Sequence, residues 1–364
     1  MFKLIVIVLC LVLCANDVAA RKHKHHLSPV NGRPPILNRC DILVSIIIPV
    51  YDTDEFILLR SLLSATNLVL TGGMSIEIIA VNDGGSVDTF HRFQRKYRNA
   101  YPRFFGSESC PTVTIRFISK INGGLGSARN AGIKQAKGMW ILPLDADDEL
   151  HPTYLSRIVA NISNIRDPGD VNVIMPGMLN IDGIPLSWQP NGAVSNILQA
   201  NTFHCCGLFL KSMWDQGVHY DETMVFGWED WDFWIRLQYT YGIHPLMITT
   251  PLYKYNMEPT AEHLSGYCTK HAIFCKSLLI YNNVCLYSND EVLRAGLVLG
   301  SRSAELISKH PKLQLIKSLS GHGDSFAKLL VSLVEDPNNH NSTLRSYIDG
   351  ECHKKSRCDI AVQE

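Results

Sequence analysis

The feature that most constrains this chain is a repeated alternation of continuous apolar runs with helix-patterned stretches. Ile42–Pro49 is an apolar run suited to a buried strand, and Phe56, Leu59, Leu62 and Leu63 follow at helical spacing. The pattern recurs with a strand at Ser75–Val81 and a helix at Val87–Tyr97, then a strand at Val113–Ser119 and a helix at Ser127–Ala136. It recurs again with a strand at Met139–Leu144 and a helix at Pro152–Ile165, before a fifth strand at Val171–Met175. Strands apolar on both faces need covering on both faces, so the pattern predicts an α/β fold with a mostly parallel sheet between helix layers. Beyond Pro176 the pattern loosens. Strand-like pieces at Phe203–Leu210 and Pro245–Tyr255 flank one helix at Asp230–Tyr241, and the chain reads as helical after about Glu262.

Composition narrows the function classes. Thirty-four basic and 34 acidic side chains in 364 residues cancel. A neutral chain lacks the broad positive field on which non-specific nucleic-acid binding depends. Lys3, the apolar run Leu4–Ala15 and the small residues Val18, Ala19 and Ala20 form a signal-peptide pattern over residues 1–20, with cleavage expected after Ala20. The run is shorter than the ~20 residues of a membrane span, so no span is expected after cleavage. Eleven cysteines suit the same oxidising route. Two lie in the signal, and an odd number remains, so at least one is not bridged within the chain. Cys352 and Cys358 read as a local bridge in the tail; the others cannot be paired from spacing. Asn161 and Asn341 stand in glycosylation acceptor triplets. Residues 21–40 read as an exposed basic linker.

In an open parallel sheet, ligands bind beyond the carboxyl ends of the strands. The segments there are Pro49-Val50-Tyr51, Asn82-Asp83-Gly84-Gly85, Asn122-Gly123-Gly124-Leu125-Gly126 and Asp145-Ala146-Asp147-Asp148-Glu149. The last is the sharpest signal. Crowded carboxylates repel unless a cation or solvent relieves them, and Asp145 and Asp147 can aim at one hard cation. The competing reading is an acidic cap of the helix opened by Pro152. The glycine segment lacks the third glycine of a dinucleotide fingerprint, Arg129 standing in its place, and it follows the third strand rather than the first. A helix N-terminus with an arginine nearby still suits a diphosphate, against the plainer reading of a turn with a surface arginine. Farther on, Gly227-Trp-Glu-Asp-Trp-Asp232 puts Glu229 and Asp230 at a helix start, where the dipole favours ionised carboxylates. Trp234, Leu237 and Tyr241 follow at helical spacing and read as core.

Five stretches carry a resemblance. They are Val44–Tyr51, Glu77–Gly84, Asn122–Gly132, Leu142–Asp148 and Gly227–Asp232. In that order and spacing the chain resembles a family 2 glycosyltransferase of the GT-A fold. That is a Rossmann-like, mostly parallel sheet with helices on both faces, here spanning residues 41–265, with a helical C-terminal extension over 266–364. The resemblance implies an inverting, metal-dependent transfer from a nucleotide-sugar, with UDP the expected nucleotide, to a hydroxyl of a glycan, glycoprotein or glycolipid. It places Pro49 and Tyr51 at the nucleotide pocket, Asp83 on the base or ribose, and Asn122, Gly123 and Arg129 near the diphosphate or sugar. Asp145 and Asp147 would hold Mn²⁺ or Mg²⁺, with His263 reaching the metal or diphosphate. Asp230 would be the catalytic base, and Gly207, Trp228 and Glu229 would belong to the acceptor or sugar loop. Aspartate rather than histidine at position 147 argues against the retaining polypeptide GalNAc-transferases. Location in the ER or Golgi lumen, or secretion, follows from the signal. A second reading, an inactive nucleotide-sugar or glycan-binding protein, predicts lost acids, yet Asp83, Asp145, Asp147 and Asp230 are all present. A nucleotidyltransferase would need a glycine-rich triphosphate loop after the first strand, and Val50–Leu59 has no glycine.

Overall fold

The computed structural model describes residues 42–354 apart from 72, 106–111, 163–170, 181, 187–189 and 257–263. The signal peptide, the linker, His263 and the Cys352–Cys358 bridge lie outside the described residues or side chains. The described chain forms two compact units, one within Met1–Tyr220 and Leu237–Pro259, the other within Asp221–Arg236 and Thr260–Glu364. The segment with Glu229 and Asp230 therefore groups with the C-terminal helices, whereas the sequence reading placed it with the sheet.

The first unit is built on an eight-stranded sheet. Strands β1 (Ile42–Val50), β2 (Ser75–Asp83), β3 (Val113–Lys120) and β4 (Trp140–Pro143) are parallel, with β1 between β2 and β4. The remaining strands are β5 (Glu149–Leu150), β6 (Val173–Asn180), β7 (Leu208–Leu210) and β8 (Pro245–Tyr255). The sheet order is β3-β2-β1-β4-β7-β6-β8-β5. The parallel part matches the sequence reading; the rest is mixed. β7 enters between β4 and β6 and runs antiparallel to both, and β5 pairs antiparallel with β8. The fifth strand begins at Val173 and continues through Pro176 to Asn180, because β8 supplies a parallel partner along that whole length.

Buried strands with helix cover account for the apolar runs. Ile46, Ile47, Ile48, Ile78 and Ile79 are fully enclosed. Helix α1 (Glu55–Thr66) is capped by Asp54, whose carboxylate accepts from the amides of Phe56 and Ile57. Helix α2 (Val87–Ala100) buries Phe90, Phe93 and Tyr97, with Phe90 and Phe93 packed on Phe117 of β3. Helix α3 (Leu125–Gln135) lies against β1, and Gly132 permits the approach: a Cβ there would sit 2.5 Å from Ile47 Cγ2. That is the close-packing role for which the sequence reading looked at position 129. Helix α4 (Tyr154–Ile162) opens well beyond Glu149, with β5 intervening, so the acidic run is not its cap. The short α5 (Lys211–Asp215) follows β7.

The second unit is helical. It comprises α7 (Leu264–Lys270), α8 (Ala272–Asn282), α9 (Asn289–Ser308), α10 (Leu313–Gly321), α11 (Ser325–Glu335) and α12 (His340–Lys354). The chain enters it at Asp221, and α6 (Glu229–Tyr241) begins there. α9 starts with a reciprocal capping box between Ser288 and Glu291. Cys268 and Cys275 form a disulfide, a pairing the spacing did not disclose. Among the described residues no helix is long and apolar enough to cross a membrane.

Candidate functional site

In the first unit the carboxyl ends of the four parallel strands share one edge, and hydrogen bonds tie the loops there together. Asp52, in the left-handed backbone region at φ 47°, accepts from the Ser86 amide. The loop after β1 is thus fastened to the turn after β2. Beside it Tyr51 is 54 % exposed, while Pro49 is buried within β1.

Asp83 ends β2 with its carboxylate buried. It accepts from Lys120 Nζ at 2.7 Å, from the Gly123 amide at 2.9 Å and from the Gly124 amide at 2.8 Å. Gly124 is the N-cap residue of α3 and has φ 86°. Asp83 therefore holds the glycine loop at the start of α3 and neutralises Lys120. Asn122 and Gly123, both partly exposed, border this junction.

Arg129 is wholly enclosed, which excludes the surface-arginine reading. Its Nη2 lies 2.8 Å from Asp145 Oδ1, and its guanidinium sits over the Tyr220 ring at 5.3 Å. The helix after β3 and the acidic loop after β4 are joined by this pair. Asp145 is partly exposed, as is Asp147. Asp148 differs: it is fully buried, accepting from the Tyr253 hydroxyl and, at 2.8 Å, from the Asn256 amide. Burial, reinforced by the charges of Asp145 and Asp147, pushes its carboxyl well above the usual range. Asp148 is thereby a structural anchor. The negative field it senses is that of two water-accessible carboxylates, the hard oxygen donors a Mn²⁺ or Mg²⁺ ion takes while keeping water. Oxygens of Asp145 and Asp148 and the Cys206 sulfur lie within 4.8 Å of one another. Asp145 and Asp147, both partly exposed, are the residues that would hold such an ion.

The loop before β7 adds residues that sequence reading passed over. His204, Cys205 and Cys206 precede the buried Gly207. Cys205 Sγ donates to Asp145 Oδ2 at 3.5 Å. Burial draws the His204 imidazole down to about 4 and raises the Cys206 thiol to about 11, while the hydrogen bond with Cys206, together with burial, raises the Cys205 thiol. The adjacent cysteine pair was visible in the sequence, but its nearness to Asp145 depends on β7 entering the sheet beside β4.

In the second unit, Gly227 at φ 117° and Trp228 at φ 60° turn the chain sharply into α6. Positive φ at a bulky aromatic is strained, a cost that persists where surrounding structure fixes it. Trp228 packs at a tilt against Trp231 with ring centroids 5.1 Å apart, and Lys276 Nζ lies 4.0 Å from the Trp231 ring centre. Glu229 is buried, while Asp230 is partly exposed, leaving the aspartate the more accessible of the two acids. Asp232 anchors the turn. Fully enclosed, it accepts from Arg236 Nε at 2.7 Å, Asn282 Nδ2 at 2.9 Å and Asn283 Nδ2 at 2.7 Å. Burial still raises its carboxyl, with Arg236 opposing.

Known proteins resemble this chain in part. The family model Glycosyl transferase family 2 matches residues 45–192. Chondroitin synthase of Escherichia coli is 37 % identical over 110 residues, 30 % of this chain and 14 % of that protein. An uncharacterized glycosyltransferase of Rickettsia prowazekii (strain Madrid E) is 29 % identical over 236 residues, 60 % of this chain and 67 % of that protein. The chain thus spans only a fraction of some curated relatives and about two thirds of another. Among solved structures, S. aureus TarS 1–349 in complex with UDP-GlcNAc aligns with a TM-score of 0.51 at 17 % identity, covering 86 % of this chain and 92 % of that one. Residues 45–192 thus match the family 2 glycosyltransferase model, and the sheet with its covering helices has a GT-A-like fold.

Proposed function

We propose that the protein transfers a sugar from a nucleotide-sugar to a hydroxyl of a glycan, glycoprotein or glycolipid, with inversion and with a divalent cation. The observation that carries the reading is the ion pair between the enclosed Arg129 and the partly exposed Asp145 at the shared edge of the parallel strands. It holds one oxygen of Asp145 in place beside the partly exposed Asp147. Mn²⁺ or Mg²⁺ held by Asp145 and Asp147 would offset the charge that develops on the leaving diphosphate. The glycine loop pinned by Asp83 at the α3 N-terminus and the fixed Arg129 orient an anion without rearranging during reaction, the condition under which electrostatic stabilisation is most effective. Tyr51 offers its exposed ring to the base. Uridine is favoured by fold-level likeness to S. aureus TarS, which was solved with UDP-GlcNAc.

Asp230 is the proposed general base that takes the acceptor hydroxyl's proton. Its place in the first turn of α6 favours the ionised form, and Asp232 fixes that turn from beneath. Glu229 and Trp228 are proposed to orient the acceptor. We place the protein in the lumen of the secretory pathway or outside the cell, supported by the apolar N-terminal run and the Cys268–Cys275 disulfide.

The test is a screen of nucleotide-sugars with Mn²⁺ for release of free nucleoside diphosphate in the presence of mixed glycan acceptors. Donor binding by the unmutated protein without transfer to any acceptor would favour the inactive binding-protein reading instead.

A further inference from the structure

Beside the DxD loop lies a set of side chains that the proposed transfer does not use. His204, Cys205 and Cys206 present ring nitrogen and two sulfurs within 4.8 Å of one another. The two Sγ atoms are 3.2 Å apart, and His204 Nδ1 is 3.7 Å from Cys205 Sγ. Asp145 Oδ2, from a distant part of the chain, lies 3.5 Å from Cys205 Sγ. Nδ1 faces the Cys206 amide at 3.2 Å and accepts from it, so the ring lone pair is on that nitrogen.

These spacings can be compared with a coordination shell. Tetrahedral zinc with bonds of about 2.3 Å to sulfur and about 2.1 Å to nitrogen or oxygen has shell edges of about 3.8 Å between sulfurs and about 3.6 Å between sulfur and nitrogen or oxygen. The distance between Cys205 Sγ and His204 Nδ1 matches to about a tenth of an ångström, and the sulfurs need to separate by about half an ångström. The donors are soft or borderline, which excludes Mg²⁺ and disfavours Mn²⁺ as the preferred occupant.

We propose that His204, Cys205 and Cys206 form a site for a thiol-seeking divalent cation of the zinc type, separate in its ligands from the hard-cation site of Asp145 and Asp147. On binding, each thiol loses its proton to solvent, two S–metal bonds form, and the His204 lone pair exchanges the Cys206 amide for the metal. Its charge lies beside Asp145, so the bound cation antagonises Mn²⁺-dependent donor binding, a consequence that rests on the function proposed above. Cation uptake itself does not.

The experiment is therefore run without donor. The full chain is reduced, desalted into thiol-free buffer and titrated with Cd²⁺, which reports thiolate ligation by sulfur-to-metal charge-transfer absorption. A band saturating at one equivalent is expected. It should weaken in Cys205→Ser and in Cys206→Ser and be unchanged in Cys285→Ser. A second measurement needs no variant: alkylation of Cys205 and Cys206, read by peptide mass spectrometry, should slow by roughly tenfold when Zn²⁺ is present at about ten times its Kd. A band indifferent to both serine variants, or alkylation unaffected by Zn²⁺, would overturn the site. So would a Cys205–Cys206 disulfide in the purified protein, since no thiolate would remain to ligate. An enzyme that fails to transfer sugar leaves each of these readouts intact.

Discussion

Replacing Arg129 with methionine removes a buried cation while keeping an unbranched side chain in the same space. Two interactions disappear: the 2.8 Å bond to Asp145 and the guanidinium packing over Tyr220. A hydrogen bond to a charged group contributes about 1.5–3 kcal/mol, and a desolvated cation–π contact about 1–2 kcal/mol. Two effects oppose the loss. Asp145 keeps 22 % of its side chain exposed, so water re-solvates it, and burying methionine costs no desolvation of a charge. The net destabilisation is therefore about 2–3 kcal/mol, below the 3–5 kcal/mol typical of breaking a fully buried pair. For a domain of about 150–250 residues that corresponds to a fall in Tm of roughly 4–12 °C. Thermal unfolding followed by near-ultraviolet circular dichroism is the assay. Arg129→Lys should recover part of the loss, because the charge returns without the planar fork. A Tm within about 1 °C of the unmutated protein in Arg129→Met would refute the argument, since a pair of this burial cannot be removed without effect.

Three further outcomes are expected. Asp230→Asn should lower sugar transfer by roughly 10²–10⁴ while UDP-sugar binding, measured calorimetrically, persists; near-normal turnover would move the base to another acid. In Asp147→Ala, the dependence of UDP-sugar affinity on Mn²⁺ should vanish, and full affinity of the unmutated protein in excess chelator would refute cation-assisted binding. Burial beside Phe226 and Tyr267 lowers the His310 imidazole from 6.5 to about 4. Between those values the unfolded chain binds a proton the folded one does not, so stability falls as the pH drops through that window. This pH-dependent loss should be absent from the urea-unfolding pH profile of His310→Phe.

The parallel core was legible because both faces of β1 and β2 are covered, leaving a continuous apolar run that only a buried strand explains. Period and turn residues likewise placed α6 and β8 to within a residue. The strand-end segments followed from a topological rule, which holds without knowing any side-chain contact. Pairing between distant segments was not legible. β7 has only three residues, and nothing local says that it inserts antiparallel beside β4. Yet that insertion brings Cys205 to Asp145.

Local sequence likewise marks a charge without revealing whether it is buried. Arg129 and Asp148 look like surface residues in a polar segment, and tertiary enclosure made one a fixed cation and the other a raised carboxyl. The sequence by itself determined which residue types stand at the strand ends, hence the class of chemistry available. Only the tertiary structure decided which of those groups face water and which are held by Lys120, Arg129, Tyr253 or the Asn282–Asn283 pair. The physical reason is that burial and hydrogen-bond partners are set by segments tens of residues away, through packing that local pattern does not encode.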